Sequence, residues 1–60
     1  MVGESASAAH IRFLRRSAAE LRSIAAGMPE VAEDLRRIAS ELEAEAADLD
    51  TAARRRDRSR

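Results

Sequence analysis

The chain has no cysteine, no lysine, no tryptophan and no tyrosine, and only two glycines, one proline and one phenylalanine. Each absence removes a class of structure or chemistry. Without cysteine there is no disulfide to staple a 60-residue domain and no thiolate for a metal. Phe13 is the sole aromatic, so no row of rings exists on which nucleic-acid bases could stack. Gly3 and Gly27 are too few and too isolated to form a phosphate-cradling loop. No apolar run approaches the roughly 20 residues that a membrane-spanning helix needs. The segment 1–7 has neither a basic start nor an apolar core, so no secretory signal is read there and a cytoplasmic location is the expectation.

Alanine, arginine, leucine and glutamate fill the space left by these absences. Alanine has the highest intrinsic helix propensity, and the other three follow closely. Eleven arginines balance eleven Asp and Glu, so the chain carries no net charge. The composition is that of an all-α protein.

Punctuation is concentrated at Gly27-Met28-Pro29. Glycine just past a helix tolerates the left-handed conformation that closes the last turn. Proline suits the first position of the next helix. The expected organisation is a flexible segment 1–6 and a helical hairpin over 7–56, followed by a basic tail at 57–60. Within it, one helix spans about 6–26, the turn is 27–28, and the second helix spans about 29–55. Ser5 or Ser7 would cap the first helix. Glu30, Glu33 and Asp34 would favour the start of the second through its dipole. So short a connection makes the helices antiparallel neighbours.

The apolar positions keep helical period. Ile11, Leu14, Ala18, Leu21, Ala25 and Met28 form one stripe, widened to one side by Phe13 and Ile24. At about 100° per residue the arc covers roughly 160°, wider than one neighbouring helix needs. In the second helix Val31, Leu35, Ile38, Leu42, Leu49 and Ala52 are read as the seam. Ala32, Ala39, Ala46 and Ala53 run beside it at seven-residue intervals and permit close approach. Glu45 interrupts the seam; it is placed at the margin with its carboxylate in water, the alternative being an arginine partner across the interface.

A lone hairpin gives each helix a single neighbour, which leaves so wide a stripe uncovered. The expectation is therefore an antiparallel helical hairpin that dimerises into a four-helix bundle. Its oligomer interface would use Ile11, Phe13, Leu14, Ala18, Leu21, Ile24, Ala25 and Met28 from the first helix. Val31, Leu35, Ile38, Ala39, Leu42, Ala46 and Leu49 would serve from the second. With the turn at 27–28, Arg12 should lie level with Glu43, Arg15 and Arg16 with Ser40 and Glu41, and Arg22 with Glu33.

No constellation for catalysis is found, and no cofactor is implied. His10, the single histidine, has Phe13 and Leu14 at helical spacing in place of metal ligands, and is read as a boundary residue. The carboxylates form a helical stripe without the cleft of a paired-acid enzyme or the loop of a calcium site. Arg54, Arg55, Arg56, Arg58 and Arg60 could contact phosphate backbones or an anionic membrane surface. The neutral chain and the dipole of a helix end both argue for the plainer role of a solvated C-terminus. Three functions stay open: a self-associating interaction or regulatory module, a small nucleic-acid-associated protein, and a subunit or inhibitor of a larger bacterial or phage protein.

The run from Ser17 to Ala47 resembles a pattern in short uncharacterised alphaproteobacterial proteins. The matching residues are Ala18, Leu21, Arg22, Ala25, Met28, Glu30, Leu35, Arg37, Ile38, Ala39 and Glu43. The resemblance covers about half the chain; Pro29, directly after Met28, departs from it, as does Leu42 where an aromatic is expected. It implies bacterial origin and a helical hairpin, and brings no activity.

Overall fold

The computed structural model describes residues 6–58. Two helices, α1 (Ala6–Gly27) and α2 (Ala32–Arg58), pack along their length as an antiparallel hairpin. The result is a single layer measuring 48 × 23 × 10 Å. Ser7 lies inside α1 instead of capping it; the alternative cap, Ser5, falls outside the described residues, as do the rest of 1–5 and Arg60. α2 begins with Glu33 and Asp34 in its first turn, as its dipole favours. It continues past the expected end near 55 to Arg58, taking the start of the basic segment into the helix. No acid lies in the first turn of α1 and no base in its last. Packing, more than end charge, must hold that helix.

The turn differs from expectation in a way that has a steric cause. Gly27 has no positive φ and remains the last residue of α1. The helix breaks at Met28 because a residue preceding proline is driven out of the helical region. The Met28 N–H donates to the Ala25 carbonyl at 3.2 Å, tightening the final turn. The Val31 N–H then donates to the Met28 carbonyl at 3.1 Å, with Pro29 at the second position of the reversal, where its fixed φ fits. The first bond of α2 runs from the Leu35 N–H to the Val31 carbonyl at 3.0 Å. Pro29 therefore opens the turn, and not the second helix.

The seam is made of alanine. Ala18, Ala39 and Ala46 are wholly inaccessible, and Ala25 and Ala32 nearly so. Ile11 and Leu14 are buried with Ala46, and Leu42 and Leu49 pack against that cluster. The row at the centre of α2 is thus Ala32, Leu35, Ala39, Leu42, Ala46, Leu49 and Ala53, alternating small and large. The sequence reading placed the centre one residue away, on Val31, Ile38 and Ala52, all three of which are exposed. Two helices in direct contact approach most closely where side chains are smallest, so the alanines take the seam and larger neighbours are displaced from it. Glu45 belongs to the displaced row and is exposed. Its charge does not interrupt the seam at all.

Candidate interaction face

The two broad faces of the layer differ in kind. On one, ion pairs cross between the helices. The Arg22 guanidinium grips Glu43 with two bonds, Nη2 donating to Oε1 at 2.7 Å and Nε to Oε2 at 3.3 Å. Nη2 also donates to the Ser40 hydroxyl at 3.3 Å. This hydrogen bond, more than simple charge attraction, holds the Glu43 carboxyl below the usual carboxylate range and raises the guanidinium above its own. Nearer the termini, Asp50 sits between Arg15 of α1 at 3.8 Å and Arg54 of α2 at 3.1 Å. Arg37 and Asp34 form a local pair at 3.5 Å within α2.

These contacts correct the expected register. Arg22 meets Ser40 and Glu43, not Glu33, and Arg15 reaches Asp50, not Ser40 or Glu41. The pivot lies in a turn over 28–31, about two residues later than 27–28, which moves each facing position by about four, and the length of the arginine side chains spans the rest. Opposite charges still meet, with different partners.

The other face follows from geometry. On α1, Arg15 and Arg22 flank the seam on one side, and at about 100° per residue Phe13 and Ile24 flank it on the other. On α2, Glu43 and Asp50 lie on the first side, and Ile38 on the second. Since the ion pairs join the first sides, the second sides share the opposite face. The large apolar side chains there are exposed, Phe13 by 62 %, Ile24 by 49 % and Ile38 by 39 %, and in the turn Met28 is exposed by 50 % and Val31 by 38 %. Leu21, Leu35, Leu42 and Leu49 are half-buried and contribute their outer edges.

The expected interface residues therefore divide in two. Ile11, Leu14, Ala18, Ala25, Ala39 and Ala46 are used up inside the hairpin. Phe13, Ile24, Met28, Val31 and Ile38 stand open, and the four leucines serve both surfaces. Ala32 is a buried seam residue that the expected set omits; its place in the seven-residue alanine row was the signal. Arg54, Arg55 and Arg56 are exposed on the last turns of α2, with Arg54 engaged by Asp50. His10 is exposed on α1. Among the described residues no group of three or more His, Asp or Glu side chains could hold a metal ion, and no helix is long and apolar enough to cross a membrane.

No protein-family model matches this chain, and neither a curated protein nor a solved structure is similar to it.

Proposed function

We propose that this protein is a self-associating helical interaction module, in which two hairpins pack their apolar faces together as a four-helix bundle. One observation carries the reading. Large apolar side chains of both helices, Phe13, Ile24 and Ile38, are exposed on one face of a single-layer hairpin, with Met28 and Val31 exposed at the turn, while ion pairs occupy the other face. Among the large side chains only Ile11 and Leu14 are buried in the hairpin, so for the exposed ones much of the roughly 1.5–3 kcal/mol that burying each such residue contributes is still to be gained. The outline of the whole layer, 48 Å by 23 Å, is comparable with the roughly 800 Å² per partner that a stable complex covers.

The test is sedimentation equilibrium of the full chain together with its Ile24→Asp variant. A dimer that falls to monomer on substitution supports the reading, and a well-folded monomeric parent chain at micromolar concentration contradicts it. A second reading rests on the exposed Arg55 and Arg56 at the end of α2: contact with phosphate backbones. Binding to a duplex that weakens steeply with salt, and is lost on replacing Arg54–Arg56 by glutamine, would support it. Binding indifferent to salt would not.

A further inference from the structure

Two arrangements bring the apolar faces of identical hairpins together about a two-fold axis. With the axis along the helices, α1 of one copy covers α2 of the other, and both turns lie at one end. With the axis across the helices, each helix covers its own counterpart, and the turns lie at opposite ends. Resting on the self-association proposed above, we infer that the protein adopts the first arrangement, with Glu45 of each copy received by Ser17 and Arg16 of the other.

Glu45 decides between them. It occupies the middle of the apolar face on α2, in the row of Val31 and Ile38. A carboxylate enclosed there needs a polar partner, because an unpaired buried charge is strongly unfavourable. The corresponding row of α1 carries two polar residues between Phe13 and Ile24, Ser17 and Glu20, and of these only Ser17 can donate a hydrogen bond to a carboxylate. Ser17 and Glu45 stand at the same height along the hairpin. The contacts around them bracket this height: Ile11 and Leu14 cluster with Ala46, Arg22 reaches Ser40 and Glu43, and Arg15 reaches Asp50, which sets Ser17 level with the stretch of α2 centred near Glu45. A two-fold axis along the helices preserves height, so it sets the hydroxyl of Ser17 opposite the carboxylate of Glu45 in the second copy. Arg16, exposed at the outer edge of α1, is within a side chain's reach of the same level. The apolar residues match in the same register. Phe13 comes level with Leu49 and Ala52, Ile24 with Ile38, and Met28 with Val31. Glu20 opposite Glu41 is the one unfavourable pair.

The second arrangement offers Glu45 no such partner. Covering α2 with α2 in reverse sets Glu45 against its own copy, or against Ile38 or Leu42 on sliding. The first arrangement also gathers both C-terminal arginine clusters at one end of the bundle and both turns at the other.

The chain has no cysteine, so Glu30→Cys in the turn gives a single spin-label site per copy. Dipolar distances are measured on the labelled full chain alongside its mass. Helices about 10 Å apart and two label arms set a distance of no more than about 30 Å when the turns share one end. A distance approaching the 48 Å length of the layer overturns the arrangement and leaves self-association standing. Absence of dipolar coupling with a monomeric mass overturns both. As an independent check, Ser17→Asp should weaken dimerisation by about tenfold or more through like charge, and adding Glu45→Ala should restore most of it. A double variant no tighter than Ser17→Asp alone contradicts the pairing.

Discussion

The two faces of this hairpin teach more by contrast than either does alone. One is finished: Arg22, Glu43, Ser40, Arg15, Asp50 and Arg54 satisfy one another across and along the helices, at the surface. The other exposes large apolar side chains with no such closure. Surface ion pairs contribute about 0–1 kcal/mol each, so the finished face sets which way the helices meet more than how firmly. Buried apolar area supplies most folding energy, and the large apolar side chains on the unfinished face still have much of theirs exposed. On the self-association proposed above, a single-layer hairpin with an alanine seam is half of a core.

The strongest way to break the contrast is to put a charge on the open face. Ile24 is about half exposed in the hairpin. Ile24→Asp should be harmless to an isolated hairpin, yet it should abolish assembly and most helicity together at micromolar concentration. Circular dichroism and sedimentation on the same sample check this, and full helicity without assembly would show that the hairpin stands alone. A smaller effect is expected within the seam. Ala39 is wholly inaccessible, and Ala39→Leu should cost about 1–3 kcal/mol by forcing the helices apart. The same enlargement at Ala44, exposed on α2, should change little in chemical denaturation.

A gain is expected at the turn. Gly27 is helical, lacks a positive φ and has nothing within 4 Å of where a Cβ would sit. Gly27→Ala should stabilise by about 0.4–1 kcal/mol, read from thermal unfolding. Destabilisation would restore the left-handed closure that the sequence suggests. The smallest effect concerns pH. Glu43 has its pKa lowered in the folded state by the Arg22 hydrogen bond. Its contribution is thus present above the unfolded value, near about 4.3, and lost as pH falls through the lower folded one. Because the pair is exposed to water, the acid loss should be shallow, and Glu43→Gln should flatten it further. The raised Arg22 pKa acts only at extreme alkaline pH.

The existence of two helices and their antiparallel pairing were legible because the Gly27-Met28-Pro29 punctuation and the 3–4 apolar spacing leave few alternatives. The seam was harder to place. Two rows on α2 share Leu35, Leu42 and Leu49 and differ by one residue elsewhere: Val31, Ile38, Glu45 and Ala52 in one, Ala32, Ala39, Ala46 and Ala53 in the other. Weighing hydrophobicity favours the first, whereas the geometry of close approach selects the second. Glu45 was the clue, since the alanine row has no charged member. The register was missed for a related reason. Glycine was given the break that proline makes, which set the pivot too early and every facing pair with it.

The central claim is that this hairpin is incomplete until its apolar face is covered by a second copy. Sedimentation equilibrium of the full chain over a hundredfold range of concentration around the micromolar, with helicity followed in parallel, tests it most directly. A single dimer–monomer equilibrium in which helix content falls as dimer dissociates is the expected result. A monomer that stays fully helical at every concentration would contradict it.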